Sequence, residues 1–270
     1  MSDQVPLARM RVARLPSLLL VTLACSLALP AQASLRSVQG EARDPASGNL
    51  LYREEHLLRG PAARPVERLV LYRCPDGRAF ARKRVDYRDS ATAPAFALED
   101  VRADYREGLQ REAGRLRVYT VERGDDDDAW LDASPRALVA DAGFDEFLRQ
   151  RWDGLVGGAP QTLAFVVPAF GRAMTFQVAS LGAGRVEQTP VQRFRLKLDG
   201  LLGAVGPALE VAYDARDRSL RRFTGPTNLR DDRGRQLRAR IDFARPPQPA
   251  DEARWASALD EALVRCPLGR

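Results

Sequence analysis

The sequence predicts a mainly β (α+β) protein: a strongly curved antiparallel sheet or half-barrel of about eleven strands, with one amphipathic helix midway and one C-terminal helix. Three observations lead there. Apolar and polar residues alternate at period two over many short runs, turn sequences separate those runs at hairpin spacing, and two segments switch to helical spacing. One wet face and one buried face per strand is the mark of antiparallel pairing, and a long meander of twisted strands curls.

The chain opens with Arg9, Arg11 and Arg14, then the apolar run Leu18 to Leu29, Pro30, and Ala31-Gln32-Ala33. Charge, a short greasy segment and small residues before a cut predict a secretory signal peptide over residues 1–33, leaving a single domain over 34–270. The apolar run is short for a bilayer crossing, so no transmembrane span is expected in the mature chain. "LAC" ending at Cys25 offers the lesser alternative of an acylated lipoprotein, although Thr22 stands where such proteins usually carry leucine.

Along the domain, "LLYREEHLL" (50–58), "MTFQVASL" (174–181), "RFRLKLDG" (193–200), "LEVAYD" (209–214) and "QLRARIDF" (236–243) read as half-buried strands. "RDPASGN" (43–49), "CPDG" (74–77), "DARDRS" (214–219) and "DDRG" (231–234) supply the turns between them. Residues 103–111 are read as a strand, although their Ala, Glu and Arg content suits a helix. "GDDDDAW" (124–130) reads as a solvated loop, since it lacks the spaced ligands and turn glycine of a calcium loop. "DAGFDEFLRQRWDGLVGG" reads as a helix capped by Asp141 and stopped at Gly157-Gly158, with Phe144, Phe147, Leu148, Trp152 and Leu155 on its apolar face. A second helix is expected from Asp251 to Val264.

Beyond the leader the chain holds two cysteines, Cys74 and Cys266. An exported chain with one cysteine pair points to one disulfide and an oxidising compartment. That places the protein in the periplasm.

Charge excludes several classes. Forty-two Lys and Arg face 36 Asp and Glu, and the acids are interspersed almost one for one, which does not suit nucleic acid. His56 is the one histidine, and the cysteines lie far apart, so no metal is expected. No cofactor is expected either: "GLLGAVG" (200–206) is not followed by the Gly-Lys-Ser/Thr of a phosphate loop.

The one constellation able to carry chemistry lies in "LLYREEHLL". Alternation puts Tyr52, Glu54 and His56 on one face with Leu50 and Leu58, taken here as the concave face. A buried carboxylate orienting an imidazole is an acid–base arrangement. The same pair also reads as a hydrogen-bonded structural device at a sheet margin. No G-x-S-x-G accompanies it, and Thr227, Asn228 and Asp231 of "GPTNLRD" are accounted for by turn formation.

The segments "LLYREEH" (50–56), "ADAGFDEFLRQRWD" (140–153), "FRLKLDGLLG" (194–203) and "RRFTGPTNLRD" (221–231) resemble a group of uncharacterised proteobacterial envelope proteins. More distantly, the order of elements is similar to the half-barrel of periplasmic lipoprotein carriers of the Lol type. That second resemblance is one of topology. It implies a curved sheet whose concave, helix-covered face holds an acyl chain or another apolar ligand.

The expected function is therefore a non-enzymatic periplasmic module. It would bind an apolar small molecule (an acyl chain or lipid-like ligand) or a partner envelope protein on its concave sheet face, through Tyr52, Glu54 and His56. The alternatives are an envelope hydrolase using the Glu54/His56 face and a structural envelope scaffold.

Overall fold

The computed structural model describes residues 1–2, 35–132, 137–200, 208–231 and 233–268 of the 270-residue chain. The chain divides into two units, Met1–Gln32 and Ala33–Arg270. The expected leader and Cys25 lie outside the described residues, apart from Met1 and Ser2. All that follows concerns the second unit.

Eight strands run first as an antiparallel meander: β1 (Leu35–Arg43), β2 (Leu50–Arg59), β3 (Glu67–Arg73), β4 (Ala79–Asp86), β5 (Ala95–Asp100), β6 (Tyr105–Glu112), β7 (Arg115–Glu122) and β8 (Asp125–Asp132). A short β9 (Leu138–Ala140) leads into α1 (Gly143–Val156). A second meander follows, made of β10 (Gln161–Val167), β11 (Arg172–Val186), β12 (Thr189–Leu198), β13 (Leu209–Asp214), β14 (Leu220–Arg230) and β15 (Gln236–Asp242). β16 (Gln248–Pro249) and α2 (Glu252–Asp260) complete the order.

The two meanders join back to back. β1 pairs with β15, so the sheet reads β8 to β1, then β15 down to β9, with β16 added beside β1. β9 and β10 are parallel, which requires a crossover, and α1 supplies it. The described residues thus hold sixteen strands where alternation alone suggests about eleven. Part of the surplus lies in strands with little period-two signal: β9 and β16 are very short, and five of the eight residues of β8 are aspartate.

The sheet is strongly curved. Asn228 at the end of β14 meets Glu107 on β6, although seven strand-to-strand steps separate those strands in the sheet. Leu131 of β8 and Leu138 of β9, from the two open edges, pack against the same cluster, which holds Val118, Ala140 and Val166. Among the described residues, side chains and not ladder hydrogen bonds close the gap between the edges.

α1 lies against the concave face. Phe144, Phe147, Leu148, Trp152 and Leu155 pack onto Leu163, Val178, Phe194, Val211 and Tyr213. Trp152 meets the Phe194 ring edge-on at 5.2 Å. Each such side chain contributes about 1.5–3 kcal/mol of burial. The helix begins where expected but is not capped as expected. Asp141 adopts a left-handed backbone (φ 44°), Ala142 takes the cap position without a side-chain bond, and the Asp141 carboxylate binds buried Lys83 at 2.8 Å. Neutralising a buried ammonium outweighs a cap worth about 1 kcal/mol. Gly143 is required here, because a Cβ on it would sit 2.0 Å from the Thr92 carbonyl oxygen.

α2 covers the opposite, convex face. Trp255 and Ala258 pack on Leu35, Leu57, Leu69, Leu71 and Ala79. Asp251 caps it, accepting from the Arg254 amide at 2.7 Å. The helix stops at Asp260, short of the expected Val264, because the Val264 amide is drawn into a bond with the Ala79 carbonyl. The extended tail then brings Cys266 to Cys74, and the two form a disulfide with Cα atoms 6.4 Å apart. The loop it closes spans 192 residues, a constraint on the unfolded chain worth roughly 5 kcal/mol.

"GDDDDAW" is a strand, not a loop. Its aspartates lie in β8, registered against Val121, Thr120 and Tyr119 of β7. Edge position explains this: a strand paired on one side tolerates charges that a central strand would not. Residues 103–111 fall largely in β6, as read. No helix among the described residues is long and apolar enough to cross a membrane.

Candidate functional site

β2 places Tyr52, Glu54 and His56 on the concave face. The register fixes their neighbours: His56 lies between Val38 and Val70, Glu54 between Gly40 and Tyr72, and Tyr52 beside Ala42. The His56 Nε2 and Glu54 Oε2 atoms are 2.7 Å apart, and their side chains are 12% and 7% exposed. The Tyr52 hydroxyl donates to Glu54 Oε1 at 3.4 Å. Burial, reinforced by the Glu54 carboxylate, pushes the Tyr52 phenol well above its ordinary value, so it stays a neutral donor.

Around this trio the concave face is filled. Tyr72 and Phe80 stand 6.0 Å from the Tyr52 ring, and Phe243 meets His56 edge-on at 5.4 Å. Phe243 fits because Gly40 leaves room: a Cβ there would lie 2.7 Å from the Phe243 Cε1 atom. The glycine in "SVQGEAR" was the available sequence signal for that close approach.

Other polar groups lie buried on the same face; the sequence did not single out Arg68, Glu107 or Asp145, and Thr227 and Asn228, read there as turn residues, lie in β14. Asp145 of α1 accepts from Arg68 at 2.9 Å and from the Tyr213 hydroxyl at 2.5 Å. Burial alone would push its carboxyl up, but the Arg68 guanidinium prevails and holds it below the usual range. Glu107 accepts from the Tyr105 hydroxyl at 2.7 Å and from Asn228. Here burial prevails, and the Glu107 carboxyl is raised despite those two donors. Asp145 reaches Arg68 and Tyr213 because α1 enters the concave side, and Asn228 reaches Glu107 because the curvature of the sheet carries β14 across to β6; alternation within a single element reveals neither.

The chemistry available to Glu54 and His56 is that of a carboxylate holding an imidazole in place. A hydrolase would need a nucleophile and an approach for substrate. The adjacent hydroxyl is Tyr52, which is fully buried and bonded to the same carboxylate. Among the described residues no group of three or more His, Cys, Asp or Glu side chains is arranged to hold a metal ion.

Two cavities lie elsewhere among the described residues. One of about 620 Å³ opens on the convex side where β2, β1, β15 and β14 run side by side, and another of about 270 Å³ lies between Arg102, Arg123, Asp231 and Arg265. The larger is lined by Arg43, Arg53, Arg222, Arg240 and Arg245, together with Glu41, Glu187 and Asp242. Tyr52, Glu54 and His56 line neither. Arg43, Arg53, Arg222 and Arg240 are outward positions of separate strands and Arg245 follows β15; the pairing of β1 with β15 assembles them.

No protein-family model matches the chain, and no curated protein matches it. Among solved structures, the chain is similar to the crystal structure of a β-barrel-like protein of a domain of unknown function, DUF1849, from Brucella abortus. The two are 11% identical, the match covers 82% of this chain and 99% of that one, and the TM-score is 0.48.

Proposed function

We propose that the protein is a non-enzymatic module of the cell envelope, exported through a cleaved leader over residues 1–33. Its single domain, 34–270, works by binding through its convex surface. The observation that carries this reading is the occupancy of the concave face. α1, the Tyr52–Phe80–Phe243 aromatics and the buried charge pairs pack there as a core, whereas the larger surface cavity gathers polar and charged side chains on the other side.

The Cys74–Cys266 disulfide supports an oxidising compartment, and together with an export leader it favours the periplasm. In this reading the Lol-type resemblance concerns the curvature of the sheet and not the acyl-chain cargo. Tyr52, Glu54 and His56 then act as a hydrogen-bonded pin within the core. Envelope hydrolysis is the second reading, favoured by the 2.7 Å contact between His56 and Glu54.

Native mass spectrometry of the protein purified from its own envelope tests the proposal. The expected result is a chain beginning at Ser34, one disulfide, and a non-covalent adduct released by raised salt. A stoichiometric acyl-chain adduct that survives salt and dissociates in organic solvent would restore the carrier reading. Turnover of envelope polymers abolished by His56→Ala would establish the hydrolase.

A further inference from the structure

We infer that the convex groove across β2, β1, β15 and β14 is a binding site for a multivalent anion of phosphate type. This rests on the reading of the protein as a convex-surface binding module. Its basis is a charge ladder written across four strands. Arg53, Glu41, Asp242 and Arg222 stand in one cross-strand row, and Arg43 faces Arg240 in the next row on the same side.

Each carboxylate in this ladder holds two guanidinium groups. Glu41 binds Arg43 at 2.7 Å and lies 3.6 Å from Arg53; Asp242 binds Arg222 at 2.5 Å and Arg240 at 3.0 Å. A guanidinium carries five N–H donors, so one carboxylate contact fixes the group and leaves donors directed elsewhere. The four side chains are 35–41% exposed, so those donors reach solvent. Arg53 also bonds the Pro75 carbonyl at 2.8 Å and Arg43 the Gly48 carbonyl at 3.2 Å, which leaves Arg222 and Arg240 with the most free capacity.

Charge does not balance in the groove. Five arginines face three acids, and Arg245 pairs with no acid among the described residues. The surplus favours an anion with two or more charges. Planar forks fixed in advance suit the oxygens of a phosphate, because bidentate contact needs little further ordering. A volume of about 620 Å³ falls in the range of small-molecule sites and exceeds what a lone inorganic ion fills. The phosphate therefore belongs to a larger molecule, either a soluble phosphate ester or a lipid headgroup.

Inorganic pyrophosphate is the probe, titrated calorimetrically into the disulfide-intact protein at low ionic strength. Saturable binding is expected, weakened at least tenfold in Arg222→Ser/Arg240→Ser and severalfold in Arg245→Ser. Arg117→Ser, on the remote β7, should leave it unchanged. Arg245 holds no ion pair among the described residues, so that variant isolates binding from any loss of fold. Absence of saturable binding, or equal weakening by Arg117→Ser, overturns the inference. Sedimentation with phosphatidylcholine vesicles, with and without phosphatidate, separates the sources. Phosphatidate-dependent binding lost in the double variant assigns a headgroup, and pyrophosphate binding without it assigns a soluble ester. If pyrophosphate fails while the native protein still carries a salt-released adduct, only the ligand class is wrong. If there is no adduct either, the binding-module reading falls with it.

Discussion

Asn228 donates its side-chain amide to Glu107 across the concave face, joining β14 to β6 through the interior of the curve. Glu107 is 4% exposed, and burial raises its pKa. The linkage has a definite sign. An acid whose folded pKa lies above its unfolded value binds more protons when folded. Stability therefore falls as pH rises from the ordinary glutamate value, about 4.3, through the raised one. Glu107→Gln keeps a neutral acceptor for Asn228 and removes that slope. The variant should melt higher than wild type near pH 7, with the gain shrinking toward pH 4. A difference independent of pH between 4 and 8 would show that Glu107 is not the group responsible.

Asp145 has the opposite sign. Arg68 holds its pKa down, so its contribution is present above the ordinary aspartate value and lost as pH falls from there through the lowered one. Asp145→Asn leaves Arg68 buried without a counter-charge and should cost about 3–5 kcal/mol. Arg68→Met combined with Asp145→Leu should cost much less than the two single changes added together, measured by urea denaturation.

His56→Ala should lower stability by about 1–3 kcal/mol, because Glu54 loses a partner where water does not replace it. Pyrophosphate binding should be unchanged, since the groove lies on the other face. Glu54→Gln/His56→Ala should be no less stable than His56→Ala alone. A loss of binding with unchanged melting temperature would instead make the trio a functional site.

Reduction, or Cys74→Ser, should cost about 2–5 kcal/mol. Near-ultraviolet circular dichroism should be retained at low temperature, because Trp152 and its neighbours pack without the bridge. Collapse of that signal on reduction alone would mean that the tail does more than restrain the unfolded chain.

Much of this was legible in the chain because alternation reports burial directly. β2, β12, β13 and β15 lie where period two puts them, and α1 buries the five apolar residues that helical spacing selects. The cysteine pair followed from arithmetic. What stayed hidden was non-local. β8 reports its burial only weakly, because five of its eight residues are aspartate and an edge strand needs only one partner. Asp141 looks like a helix cap until Lys83 arrives from a strand 58 residues earlier. The arginine groove was the least visible, since its residues come from strands that meet only at the β1–β15 seam.

That seam determines how the chain can be divided. The strands that flank the open gap, β8 and β9, are consecutive in sequence, whereas the partners at the centre are nearly 200 residues apart. A single cut between Asp132 and Ala137 therefore leaves every pairing within each meander inside one piece. It yields two pieces, each a complete meander, that share the β1–β15 and β1–β16 pairings and the contacts of α1. Cys74 belongs to one piece and Cys266 to the other, so a nicked molecule stays one covalent body until it is reduced. In this sense the protein is a pair of complementary fragments, and its two halves expressed separately should reassemble along the seam.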